Sequence, residues 1–165
     1  MDTSFVITPL NNDYCGQIID IIIPIQQIEF KVPVTLEDQP DLLDIETNYH
    51  QTGGNFWGAK VNGQLVGTIG LIITDGKIGT VRKMFLRKEY RGRELGIAQA
   101  LLNTLIGYCK QNQIADVYLG TVEALEAAHR FYERNGFTRV AKADLPKSFP
   151  LMATDTMFYQ LHLTN

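Results

Sequence analysis

The sequence predicts a mixed α/β (α+β) domain: one mostly antiparallel central sheet with helices on both faces, in the order βααβββαβαββ. Three observations carry this. Three apolar runs between 56 and 86 are joined by the turn pairs Asn62-Gly63 and Asp75-Gly76, the signature of an antiparallel meander. A helical stripe follows (Ile97, Ala98, Leu101, Leu102, Leu105, Ile106, Cys109), and then a short apolar run at 117–121. Strand, helix and strand in that order make a parallel crossover. Finally, 165 residues with 45% hydrophobic content suit one core, read as a single domain over 1–165.

The elements follow in order. Phe5-Val6-Ile7 is a short strand stopped by Pro9. From about Asp13, the residues Ile18, Ile19, Ile22, Ile25 and Ile28 fall near helical spacing, and Pro24 should kink or end that helix. Thr35 and Asp38 stand at capping-box positions, which predicts a second helix running to about Tyr49. Gly53-Gly54 then breaks the chain. The meander strands span 56–61, 65–73 and 78–86. The amphipathic helix runs from Gly96 to about Gln111, the next strand over 117–121, and another helix from about Glu123 to Asn135. Gly136 stops that helix as a residue free to adopt left-handed backbone. Closing strands lie at 137–141 and 157–163.

Composition excludes several classes. The aromatic and apolar content is too high for a disordered chain, and a net charge of −3 argues against a nucleic-acid coat. No RNA- or DNA-binding signature is present, so no nucleic-acid partner is expected. Cys15 and Cys109 form no CxxC or Cys/His cluster, so no metal site or disulfide framework follows. The stretch 18–28 is too short and too polar to span a bilayer. No membrane partner and a cytoplasmic location are the expectation. The charge is unevenly spread: residues 1–59 carry −8 and residues 60–165 carry +5. Six bases fall between Arg82 and Arg93 against one acid, Glu89, which reads as a local anion site.

That basic stretch runs from a strand through a glycine-containing loop into a helix. Free N–H groups and the positive end of the helix dipole converge there, so phosphate binds well. The P-loop and Rossmann spacings are both absent. What stands instead is Arg93-x-x-Gly96-x-Ala98. It resembles the pyrophosphate loop of the GNAT superfamily of acyl-CoA-dependent N-acetyltransferases, [Gln/Arg]-x-x-Gly-x-[Gly/Ala]. Further on, Ala128-His129-Arg130-Phe131-Tyr132-Glu133-Arg134-Asn135-Gly136-Phe137 is similar to that family's tyrosine-bearing helix. The element order fits the same family.

The resemblance implies roles. Two strands, 78–86 and 117–121, would splay to admit pantetheine. Met84, Phe85 and Leu86 would line it, with a backbone N–H near Met84–Phe85 on the thioester carbonyl. Backbone groups of Arg93, Glu94, Leu95, Gly96, Ile97 and Ala98 would hold the pyrophosphate. The loop is about two residues longer than the common form, which leaves either Arg91 or Arg93 at its head. Glu94 would have to turn its carboxylate away. Tyr132 would be the acid that protonates the leaving thiolate. His129, one turn earlier, would touch coenzyme or acceptor. Leu125 replaces an Asn that many members carry.

The implied reaction is direct acetyl transfer from acetyl-CoA, the cosubstrate, to a primary amine of a small molecule or peptide, with no metal. The acidic first third would attract a cationic amine, with Glu29 as a contact. The base is not identified by the sequence. A non-catalytic CoA-binding regulatory domain is the alternative. The protein is expected to be a monomer or homodimer.

Overall fold

A computed structural model describes residues 4–163. Seven strands form one sheet in the spatial order β1-β2-β3-β4-β5-β7-β6. They are β1 (Phe5–Pro9), β2 (Asn55–Val61), β3 (Gln64–Thr74), β4 (Ile78–Leu86), β5 (Asp116–Thr121), β6 (Thr138–Val140) and β7 (Met157–His162). All neighbouring pairs are antiparallel except β4 and β5. Both predicted turn pairs take positive φ, Asn62 and Gly63 in a two-residue loop and Asp75 and Gly76 in a three-residue loop that ends on Lys77. Pro9 does not stop β1 but closes it opposite Trp57, on an edge strand where a missing N–H costs no ladder bond.

The helices are α1 (Cys15–Pro24), α2 (Ile45–Asn48), α3 (Ile97–Gln111) and α4 (Glu126–Arg134). One face of the sheet carries α3 and α4. Leu101, Leu105 and Cys109 of α3 and Tyr132 of α4 pack there against Trp57, Ile69, Leu71 and Val117. The other face carries α1 and α2, where Ile18, Ile21, Ile22 and Ile45 meet Phe56 and Leu65. Ile28 lies outside this stripe at 75% exposure.

Three boundaries differ from the sequence expectation. The α-helix α1 ends at Pro24, as expected, but the chain does not leave the helix there: it continues in a π-helical turn over Ile25–Glu29, closed by Phe30 N donating to Ile25 O at 3.0 Å. Pro24 supplies no N–H, and a wider turn is one way past it. The helix predicted from Thr35 to Tyr49 is broken. Thr35 and Asp38 do bond reciprocally, with Thr35 N donating to Asp38 Oδ2 at 3.0 Å and Asp38 N to Thr35 Oγ at 3.3 Å. These bonds close a turn instead of opening a helix. Pro40 restricts the residue before it, and Gln39 sits at φ −131°, ψ 60°. A 3-10 turn follows over Pro40–Leu43. Asp44 then leaves helical space and caps α2, accepting from Thr47 N at 3.1 Å. The third difference is that α4 starts at Glu126, after a turn in which Leu125 N donates to Val122 O at 3.2 Å.

Candidate active site

The site begins with a short pairing. β4 and β5 are in register only from Ile78 to Thr80 against Asp116 to Tyr118. Beyond that, both strands continue without bonding to each other, β4 to Leu86 and β5 to Thr121, and a cleft opens between them. Met84, Leu119, Gly120, Thr121, Leu125 and Tyr132 line it, together with Gln26, Phe30, Arg82, Lys83, Phe85, Met152 and Asp155.

A β-bulge shapes the β4 wall. The β3–β4 register skips between Thr68 and Gly70, so Lys83 and Met84 together oppose a single β3 residue. Lys83 takes φ 56°, and its carbonyl accepts the buried Thr68 hydroxyl at 2.7 Å. Such a bulge bends the strand and re-aims its side chains.

The Tyr132 side chain reaches this wall from α4. Its hydroxyl lies 3.7 Å from Met84 Sδ, and its ring packs edge-on against Phe131 and Phe137. Tyr132 is 7% exposed, and burial pushes its phenol well above the usual range. The phenol is therefore protonated at neutral pH and can act as an acid.

At the far end of β4, the chain runs through residues 87–96 into α3. Gly96 is the N-cap at φ 72°, and no side chain caps the first turn. The first N–H groups of a 15-residue helix are thus left for an anion. Nothing lies within 4 Å of the place a Gly96 Cβ would occupy, so the approach is open. The Glu94 carboxylate folds back over Gly92, where an added Cβ would meet Oε1 at 2.7 Å. Ile97 is fully buried, so only its backbone faces the loop; Leu95 and Ala98 are half-buried, and Arg93 is exposed. Arg91 is committed elsewhere: its Nε donates to Leu86 O at 2.9 Å, and Nη2 donates to Glu29 Oε1 at 2.8 Å.

Several predicted residues therefore sit outside the cleft wall. The Glu29 carboxylate is held by Arg91, which also lowers its pKa. His129 Nε2 meets Val122 O at 2.8 Å, so the ring ties α4 to the end of β5. The side chain of Leu86 turns into the core beneath α3 and packs on Gly67. The basic stretch from Arg82 to Arg93 is not one patch. Arg82 and Lys83 belong to the cleft, while Arg91 and Arg93 belong to the loop.

Lys83 is the residue the sequence reading placed least well. Its side chain is 2% exposed, and Nζ donates to Gln39 Oε1 at 2.5 Å and lies 3.8 Å from Asp41 Oδ2. Burial lowers its pKa to about 8, against the pull of Asp41. Asp41 also accepts the hydroxyl of Tyr49 at 2.6 Å, and Gln39 pairs with Gln26. The signal was there: two adjacent bases inside an apolar strand cannot both keep strict alternation, which points to a bulge. Asp155 was missed because the loop between β6 and β7 has no periodicity to read.

Among the described residues, no group of three or more His, Cys, Asp or Glu could hold a metal, and no helix is long and apolar enough to cross a membrane.

Comparison with known proteins gives a consistent answer. The family model described as Acetyltransferase (GNAT) family matches residues 19–137. N-acetylaspartate synthetase of Danio rerio is 37% identical over 106 residues, 63% of this chain and 37% of that protein. Probable N-acetyltransferase family 8 member 5 of Mus musculus is 33% identical over 109 residues, 63% of this chain and 47% of that protein. The chain thus spans less than half the length of these two curated relatives. A crystal structure of a GNAT-family acetyltransferase from Staphylococcus aureus Mu50 superposes with a TM-score of 0.94 at 41% identity, covering 98% of this chain and 100% of that one. A PaiA N-acetyltransferase from Thermoplasma acidophilum, solved with coenzyme A, shares the fold at a TM-score of 0.75 and 19% identity, over 97% and 99% of the two chains. With the splayed strands, the uncapped α3 and the buried tyrosine in this order, the chain belongs to the GNAT family of acetyltransferases.

Proposed function

We propose that the protein transfers an acetyl group from acetyl-CoA directly to a primary amine of a small molecule or peptide. One observation carries this: the open β4–β5 cleft has the Tyr132 hydroxyl beside it and the uncapped N-terminus of α3 at the end of the same strand. The residues present fit the coenzyme. The backbone from Arg93 to Ala98, open above Gly96, suits a pyrophosphate. Arg93 heads the loop, because Arg91 is already bonded to Glu29 and Leu86. The free edges of β4 and β5 suit an extended pantetheine, and Met84 and Phe85 flank it.

Each part has a chemical task. When bound, acetyl-CoA supplies an activated acyl carbon. A backbone N–H at Met84–Phe85 donates to the carbonyl oxygen as negative charge develops there. Tyr132 gives its proton to the departing sulfur. No cysteine nucleophile is required: Cys109 is buried, and its pKa is pushed up to about 12. The acceptor enters from the side of the acidic first third, where Glu29 braces Arg91.

The reading is tested by thiol release from acetyl-CoA over amino acids, polyamines, aminoglycosides and amino-terminal peptides, beside calorimetric titration with coenzyme A. Binding together with amine-dependent release is expected. Binding with no release from any amine would favour a regulatory coenzyme-binding domain. No binding would overturn both.

A further inference from the structure

Asp155 stands out once the carboxylates of the acceptor side are accounted for. Asp41 is bonded to Tyr49 and lies beside Lys83. Glu29 is held by Arg91. Asp44 and Glu46 accept backbone and side-chain N–H groups near Asn12, away from the cleft. Among the described residues, Asp155 is the one carboxylate on the cleft wall, together with Tyr132 and Met84.

Its seat is close and its bonding incomplete. The carboxylate lies so near β5 that a Cβ on Gly120 would meet Oδ2 at 2.5 Å. The side chain is thereby pressed over the backbone at the open end of β5. Its hydrogen bond among the described residues is a long one, from Met152 N to Oδ2 at 3.4 Å. Neither Arg82 nor Lys83 comes within ion-pair distance, although both act on it through space. A half-buried carboxylate with spare acceptor capacity on a cleft wall is a ready seat for a donor.

We propose that Asp155 receives the nitrogen of the acceptor amine and takes its proton during transfer, an inference that rests on the acetyltransferase reading above. The acceptor is thus a basic amine presented at the mouth of β5. It attacks as the neutral amine, having given one proton to water. As the C–N bond forms, the nitrogen becomes acidic and one N–H proton passes to Asp155. As the C–S bond breaks, sulfur leaves with the bonding electrons and takes the Tyr132 proton. Water then carries the proton from Asp155 back to the Tyr132 oxygen. The sum is one amide and one thiol.

The charged neighbours set the pH range. Burial raises the Asp155 pKa, while the Met152 N–H, Arg82 and Lys83 lower it. Arg139 and Lys142, which share an outer hollow with Asp155, add positive charge on the β6 side. The phenol of Tyr132 is neutral across that range.

The test uses n-butylammonium as the probe. The coenzyme-A-loaded protein is titrated with it while the 13C carboxyl resonance of Asp155 is followed against pH. Saturating probe should lower the Asp155 titration midpoint. Asp155→Asn, which can still accept from Met152 N–H, should bind the probe at least tenfold more weakly with unchanged coenzyme affinity. An unmoved midpoint, or equal probe affinity in Asp155→Asn, would overturn the proposal. With a turned-over amine, Asp155→Asn should also lose the low-pH limb of kcat/KM, and Asp155→Glu should keep it. The same titration can be run without coenzyme, so failed coenzyme binding would count against the acetyltransferase reading alone.

Discussion

Replacing Lys83 by methionine isolates the energetics of one buried charge. In the folded chain, burial holds the ammonium at a pKa of about 8, against the usual 10.5. A gap of about 2.5 in pKa corresponds to about 3.4 kcal/mol against the charged form in the folded state. Below pH 8 both folded and unfolded chains bind the proton, and this cost is present in full. Between pH 8 and 10.5 the unfolded chain holds more protons, so stability rises with pH. Integrated from pH 7 to pH 9.5, the wild type should gain about 2 kcal/mol relative to Lys83→Met. Methionine also loses the bond to Gln39 and the Asp41 contact; the pull of Asp41 is already contained in the pKa of about 8, and the packing difference that is left does not change with pH. The assay is urea unfolding of both proteins at pH 7 and pH 9.5, comparing the two stability differences. A difference that stays flat would refute the buried, depressed lysine. A difference that shrinks would mean that Asp41 holds the charge more tightly than burial expels it.

Two further outcomes follow from the site. Tyr132→Phe should lower kcat by about 10²- to 10⁴-fold, the usual worth of a positioned acid, while coenzyme affinity stays unchanged; its stability should barely move, because the lost partner is a sulfur at 3.7 Å. Gly96→Val places a β-branched residue at φ 72° in the open space above α3. It should cost about 1–2 kcal/mol in denaturant unfolding and weaken coenzyme A at least tenfold by calorimetry.

Much of the scaffold was readable because local chemistry and tertiary packing agree. Asn62-Gly63 and Asp75-Gly76 want positive φ and receive it. The α3 stripe from Ile97 to Cys109 is buried as its period demands. Gly96 and Tyr132 were found through motif and context together; Gly96 is the N-cap of α3, and the Tyr132 hydroxyl lies beside Met84. The region from 30 to 45 misled. Its capping pair is real, but Pro40 and Asp44 divert the backbone before a helix can propagate. Charge counting misled too: it grouped Lys83 with Arg93, although the first is buried on a strand and the second exposed on a loop. Glu29 was read as an acceptor contact; its partner Arg91, 62 positions along the chain, leaves no trace in local sequence.

The bulge at Lys83 also sets the parity of everything after it on β4. Val81 faces the α3 layer and Arg82 the opposite side, as alternation requires. Lys83 then shares Arg82's side through its contacts with Gln39 and Asp41, so Met84 returns to the α3 layer, Phe85 to the α1 layer and Leu86 to α3 again. An uninterrupted ladder would invert all three. A ladder that kept Lys83 but lost the bulge would take Met84 away from Tyr132 and expel Leu86 from the core it fills against Gly67. Loss of the Lys83 codon itself would leave those faces in place, because Arg82 would still pair with Gly70 and Phe85 with Thr68. The bulge is thus the point on β4 where the strand can lose a residue without a change of parity.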